Sequence, residues 1–320
     1  MTKPTIKTIA LFPKIQADTA VSVFLLKRFG TALFPGIDKA TFVFWTEIPK
    51  DQSEEEWQKE GTFLLDLGGG TFDHHPVKKG EKSKEPVSAI IARHLGITED
   101  PSLKKMLAWA KRDDLEGKGT LSEDPLDRAF GLSGIISVLG RVYNEEPAKA
   151  LDIVLPIFEA HYEEEEMRTK RLPEEWKELQ NNPATKRFTV MTANGPLKCI
   201  AMETPNIRMV GFLRAYLGLD VLIQRFPSGH TNIITNQKQR PNLGPVIARL
   251  RLEEARQIGL GLDPNDIEQL TRPGRLEGIE EWFFDTAANT IQNGGISPQG
   301  TNPTRLTLET IQRIVQEELT

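Results

Sequence analysis

The sequence predicts an α/β protein, with a mostly parallel sheet in the first part of the chain and a second, smaller α/β unit after it. Three observations carry this. Short apolar runs alternate with helical patterns over about the first 140 residues; strands separated by helices pair in parallel and bury both faces. A charged helical stretch follows. The alternation then resumes and runs to the C-terminus at 320. The expected division is 1–140, a helical linker over 141–185, and 186–320.

In order, Ile6 to Phe12 reads as a buried strand and Asp18 to Phe29 as a helix with an apolar face. Thr41 to Thr46 (TFVFWT) and Phe63 to Leu67 (FLLDL) are the next strands, and Val87 to Leu95 and Leu103 to Arg112 the next helices. Sheets of this kind place ligands at the carboxyl ends of their strands. Asp18 follows the first strand and Asp66 ends the third. From Pro147 to Gln180 the pattern is helical and heavily charged (HYEEEEMRTKRLPEEWKELQ), the texture of a solvated helix joining two lobes. Beyond the Asn181–Pro183 break, Arg187 to Thr192 and Leu197 to Glu203 read as strands and Ile207 to Leu217 as a helix. Asp220 to Phe226 and Asn232 to Thr235 are strands flanking a PSGH turn, and Arg305 to Leu319 is an amphipathic helix.

Composition narrows the class. The chain has 38% hydrophobic and 27% charged residues, as in a globular protein, and a net charge of −5. A polyanionic partner would have to meet a local basic patch. With Cys199 as the single cysteine, neither a disulfide framework nor a cysteine-rich zinc site can form. No apolar run approaches the roughly 18 residues of a membrane span, and the N-terminus lacks a signal-peptide pattern. A reducing cytoplasm is the expected compartment.

The chemistry-bearing residues cluster between Asp66 and His75. DLGGGTFD, Asp66 to Asp73, resembles the second phosphate loop of the chaperone and actin-like ATPases, but over eight residues only. Only 65 residues precede it, too few for the lobe that comes first in that fold. The glycines are expected instead to let the chain turn tightly beneath the two aspartates. His74 and His75 follow Asp73 directly. Adjacent side chains on an extended segment point to different sides, so one imidazole can take a metal while the other faces substrate. Asp18, Asp66, His74 and the Asp113–Asp114 pair offer carboxylates and one imidazole. That mixture suits a hard divalent cation, Mn²⁺ or Mg²⁺.

These residues resemble the motifs of the DHH phosphoesterase superfamily, which includes RecJ-like exonucleases, nanoRNA and cyclic-dinucleotide phosphodiesterases and family II pyrophosphatases. Asp73-His74-His75 stands as the third motif and Asp66 as the second. EPVSAIIARHLGI is similar to the helix after the DHH, and LKKMLAWAKRDDLEG to the helix leading to the fourth motif, with Asp113 or Asp114 as ligand. The first motif, His-x-x-x-Asp-x-Asp, falls on Phe12 to Asp18 and keeps only Asp18; Phe12 and Gln16 replace its histidine and first aspartate. The resemblance implies one retained metal position formed by Asp18, Asp66, His74 and Asp113 or Asp114. It implies that Asp73 orients a histidine and that His75 contacts phosphate.

In the second unit, Ser228-Gly229-His230 and the Gly294–Gly295 turn are candidate substrate-binding residues, because a glycine turn frees backbone N–H groups for an anion. The outline there is similar to the melanocyte-proliferating-gene branch, which is exonuclease-like. His94, His161 and Asp285 are expected to be structural or solvated, Cys199 buried, and Lys238 and Arg240 surface charges. The expected function is a metal-dependent phosphoesterase, a hydrolase acting on a phosphate-containing small molecule or short nucleic acid, oligonucleotide ends among them. The alternative is a catalytically impaired nucleotide- or protein-binding module.

Overall fold

Thr8–Leu11 (β1), whose Ile9, Ala10 and Leu11 are completely buried, is the middle strand of a three-stranded parallel sheet. The computed structural model describes residues 3–75, 85–294 and 300–319. The chain divides into two compact units, Met1–Thr169 and Lys170–Thr320.

In the first unit, β1 runs into the helix Ala17–Phe29 (α1), then Thr41–Phe44 (β2), the short helix Glu54–Lys59 (α2) and Thr62–Leu64 (β3). The strand order is β2-β1-β3, with Ile9 opposite both Phe42 and Phe63. Side chains alternate across the sheet as a period of two requires. Ile9, Leu11 and Phe63 join the main core, whereas Ala10 and Leu64 face Trp57 of α2 on the other side. All ten residues from Ala17 to Leu26 of α1 are buried. The reason is that α1 lies between the sheet and an outer set of helices, Val87–His94 (α3), Lys104–Glu116 (α4) and later Pro147–Glu166. Between them come two short helices, Pro125–Phe130 (α5) and Leu132–Val142 (α6). α5 buries none of its residues and α6 only Ile136.

The charged helix differs from the expected solvated linker. Pro147–Glu166 (α7) buries Ala150, Leu151, Val154, Phe158 and Tyr162 against the first unit's core, where Tyr162 and Phe158 meet Phe24. Those positions recur at three- and four-residue intervals, so one apolar stripe runs beneath the glutamates. Even Glu165 is turned in, and Lys105 pairs with it at 2.8 Å. The boundary between units therefore falls at 169/170 rather than at 140 and 185, inside a π-helical turn over Met167–Arg171.

The second unit opens on Leu172–Leu179 (α8) and builds a seven-stranded sheet. Its elements are Lys186–Thr192 (β4), Gly195–Glu203 (β5), Ile207–Leu217 (α9), Val221–Arg225 (β6), Thr231–Thr235 (β7), Gly244–Gln257 (α10) and Ile267–Thr271 (α11). Gly274–Leu276 (β8), Ile279–Asp285 (β9), Thr290–Gln292 (β10) and Leu308–Glu318 (α12) complete it. The order is β4-β5-β6-β7-β10-β9-β8. Only β5 and β6, joined through α9, run parallel; the other neighbours are antiparallel. Parallel pairing is thus confined to the three-stranded sheet and the one pair that has a helical crossover, as connection geometry demands. Among the described residues no helix is long and apolar enough to cross a membrane.

Candidate metal centre

The loop from Asp66 to Asp73 is tied down by backbone hydrogen bonds and by two carboxylates, its own Asp73 and Glu54 of α2. The Asp66 N–H donates to Phe72 O at 2.7 Å, and the Asp73 N–H to Gly70 O at 3.3 Å. Asp73 Oδ2 accepts the Gly69 N–H at 2.7 Å, and Glu54 Oε2 accepts the Thr71 N–H at 2.9 Å. The Gly69 and Thr71 amides are therefore already held by carboxylates, and the ATPase-like string is a tight turn. Gly68 has φ 89°, and a Cβ there would stand 2.5 Å from Ile48 Cδ1.

Asp66 itself sits at φ 56°, left-handed backbone that residues other than glycine seldom adopt. This conformation turns its carboxylate to His74. His74 Nε2 lies 3.3 Å from Asp66 Oδ1, and on the other side of the ring Nδ1 lies 3.4 Å from Asp114 Oδ2. Neither Asp66 Oδ1 nor Asp114 Oδ2 accepts a hydrogen bond, although both atoms are buried. Nδ1 also stands 3.3 Å from Glu85 O, which accepts its proton in the tautomer that this contact favours. Nε2 then presents a lone pair to an unsatisfied carboxylate oxygen. Two donors on one octahedral cation at roughly 2.2 Å stand about 3.1 Å apart, close to the spacing seen here.

Asp18 completes a second grouping. Its side chain, 2% exposed, accepts the Val87 N–H at 2.7 Å and the Ser88 N–H at 3.1 Å, the first two amides of α3. Asp18, His74 and Asp114 offer ligand atoms all within 4.8 Å of one another, as do Asp66, His74 and His75. The four expected ligands thus do not meet in one grouping: two triads share His74, and His75, expected to contact phosphate, stands in one of them beside Asp66. Asp114 enters a triad and Asp113 does not, its side chain lying instead against Gly119 and the 117–137 pocket.

Electrostatics follow from burial. Desolvation pushes the Asp18 carboxyl up to about 6, despite the hydrogen bonds from Ser88 and Val87. Burial raises Asp66 and Asp114 too, with the nearby histidines pulling the other way. For His75, burial pulls down, but the Asp73 hydrogen bond and the charges of Asp66, Asp73 and Asp114 outweigh it and hold the imidazole above its ordinary value.

Asp73 and His75 form a separate pair. Asp73 Oδ1 accepts both the His75 N–H at 2.9 Å and its Nδ1 proton at 2.8 Å. His75 is 63% exposed, so Nε2 remains open to a ligand. The pair opens on a pocket of about 390 Å³ lined by Phe12, Lys14, Gln16 and Thr19 opposite Asp66 and His75. Thr19 Oγ1 donates to Asp66 Oδ2 at 3.3 Å, and it went unnoticed in the sequence because a threonine inside an apolar helix carries no signal. Glu54 was findable, since Ser53 and Glu56 form a capping box that places α2 and with it the clamp on the loop.

The candidate residues of the second unit are built differently. His230 is 7% exposed; Ser228 Oγ is 2.9 Å from its Nδ1, and its Nε2 donates to Thr301 O at 3.0 Å. Both ring nitrogens are engaged within their own unit, so the imidazole braces the β6–β7 hairpin instead of offering charge to an anion. Gly229 has φ 88° in that turn and packs on Pro303. Gly294 has φ 86°, and Gly295 lies outside the described residues. Neighbouring Asn293, fully buried, bonds Thr231, Glu281, Asn302 and Thr304. Cys199 is buried at 1%, and burial pushes its thiol up to about 12. His94 stacks on Phe34.

No family model matches the chain, and no curated protein matches it. Its structure is similar to the crystal structure of an uncharacterized protein from Helicobacter pylori G27, over 98% of each chain at 10% identity. The TM-score is 0.21, a likeness too distant to carry an argument about fold or function.

Proposed function

We propose that the first unit is a divergent DHH-type phosphoesterase domain that binds one Mn²⁺ or Mg²⁺ and hydrolyses a phosphodiester or small phosphate compound. The observation that supports this best is Asp66 Oδ1, a buried and unsatisfied carboxylate oxygen facing His74 Nε2. A buried acceptor left without a donor costs about 1–3 kcal/mol, more when charged, and a cation bound there removes that cost. A bound dication would polarise a phosphoryl oxygen and acidify a water. Asp73 would hold the His75 ring, and His75 Nε2 would meet the phosphate or move a proton at it.

A second reading is a nucleotide- or protein-binding module without turnover. Phe12 and Gln16 on the pocket wall favour it, because neither offers charge for a second ion. Calorimetric titration with Mn²⁺, repeated on Asp66→Ala and His74→Ala, tests the site, and hydrolysis of bis(p-nitrophenyl) phosphate tests turnover. One ion bound by the wild type, lost in both variants and accompanied by hydrolysis, fits the phosphoesterase. One ion without hydrolysis of this or of a dinucleotide fits the binding module. Absence of any bound ion removes the metal centre.

A further inference from the structure

The connection between β1 and α1 lays alternate side chains on one wall of the pocket. Phe12, Lys14 and Gln16 line it, while Ile15 between them is 3% exposed and packed in the core. The chain bends at Pro13 and Lys14 and is extended again at Gln16, with φ −110° and ψ 165°. Ile15 anchors the strip, so its polar face is held towards Asp66, Asp73 and His75 across the pocket. Among the described residues neither the Lys14 ammonium nor the Gln16 amide has a hydrogen-bond or ion-pair partner, and Phe12 is 44% exposed. The strip therefore offers a cation, an amide and an aromatic face side by side. The volume, about 390 Å³, is near the small end of the roughly 300–1,000 Å³ typical of ligand pockets.

We propose that Phe12, Lys14 and Gln16 form the recognition face for a mononucleotide, with the base stacked on Phe12, the phosphate paired with Lys14 and Gln16 bonding a base edge or ribose hydroxyl. The placement of the phosphate beside His75 rests on the metal-dependent reading; the base site does not. Charge selects a single phosphate. Against Asp66 and Asp73 the lining sets Lys14 and His75, so with a dication present the surplus of positive charge is about that of one phosphate, and a di- or triphosphate is poorly matched. An aromatic platform rewards any flat base, since every base has a π-face. A ligand made of phosphate alone would leave Phe12 and Gln16 unused.

The test is calorimetry on the full chain, with and without Mn²⁺, using 5′-AMP, ribose 5-phosphate and inorganic phosphate. The wild type should bind 5′-AMP at least about fivefold more tightly than ribose 5-phosphate, the low end of what one stacked base contributes. Phe12→Leu should abolish that preference, and Lys14→Met should weaken 5′-AMP and ribose 5-phosphate alike. Both positions are exposed, so neither change disturbs the core. Equal binding of 5′-AMP and ribose 5-phosphate, or a preference that survives Phe12→Leu, overturns the proposal. Mn²⁺ titration without nucleotide judges the metal centre separately. A preference for 5′-AMP in a protein that binds no Mn²⁺ keeps the recognition face and removes the phosphoesterase; Mn²⁺ binding without that preference does the reverse.

Discussion

Asp66→Asn should stabilise the metal-free protein and abolish its stabilisation by Mn²⁺. The carboxylate is 11% exposed, and its Oδ1 faces His74 Nε2 at 3.3 Å with no hydrogen bond between them. An amide nitrogen at that place donates to Nε2, while the amide oxygen keeps the Thr19 hydrogen bond. Asparagine also tolerates the left-handed backbone at φ 56°. One neutral hydrogen bond is worth about 0.5–1.5 kcal/mol, and relief of the unsatisfied buried oxygen adds on the order of 1 kcal/mol. For a domain of this size 1 kcal/mol corresponds to about 2–4 °C in Tm, so the metal-free transition should rise by roughly 3–10 °C. The wild type with Mn²⁺ at a hundred times Kd should gain about 2.7 kcal/mol, and the variant nothing. Thermal melts with EDTA and with Mn²⁺ measure both. A variant whose metal-free transition falls, and whose Mn²⁺ shift equals that of the wild type, refutes the assignment of Asp66 as an underemployed ligand.

Protons should compete with the metal: with Asp18 raised to about 6 and Asp66 and Asp114 raised by burial, Mn²⁺ affinity should fall at least about tenfold from pH 7.5 to 5.5, read by EPR. For the metal-free protein the sign is opposite. An acid whose folded pKa exceeds its unfolded value contributes stability below the unfolded value that is lost as pH rises through the folded one, so the Asp18 carboxyl should add on the order of 2 kcal/mol more to apo stability near pH 4 than at pH 7, read in denaturant melts as the pH dependence that Asp18→Asn removes. Cys199, buried and held at about 12, should resist iodoacetamide at pH 8 in the native protein and react at once in guanidinium, as mass spectrometry would show. In the second unit, Glu254→Leu should cost about 3 kcal/mol in a urea melt, because Trp282 Nε1, Thr304 Oγ1 and the Arg305 backbone all donate to that fully buried carboxylate.

Where local pattern and tertiary role agree, the sequence is readable. The strands through Thr235 and the helices α1, α3, α4 and α9 were legible, as was the glycine turn beneath Asp66, whereas the short helices α2, α5 and α6 and the split of the His74 ligands into two groups were not. What hid the rest was polarity on core faces. α10 went unread because its buried stripe of Val246, Ile247, Leu250 and Ala255 also holds Arg251 and Glu254. Arg251 is buried by donating to the carbonyls of Leu270, Arg272 and Gly274, a partnership between distant segments that periodicity does not reveal. In α7 the error ran the other way, as a run of glutamates masked the stripe leading to Tyr162. β8 to β10 form by antiparallel pairing at the far side of the sheet, and Trp282-Phe283-Phe284 read as texture without that pairing. Asp113 and Asp114 are neighbours with equal chemistry, so only the helix's rotation about its axis separates them.

Asp18 holds two jobs, since the carboxylate beside His74 and Asp114 also gathers the first amides of α3. Replacing it would loosen a helix whether or not an ion ever binds. A descendant of this protein that had abandoned its chemistry would still be under pressure to keep that aspartate, simply to fold. Asp66 enjoys no such protection: its strained backbone and idle oxygen are a burden to a protein that binds nothing. Drift in an idle lineage would therefore erase Asp66 early and Asp18 late, which makes Asp66 the better witness to whether the site is in use.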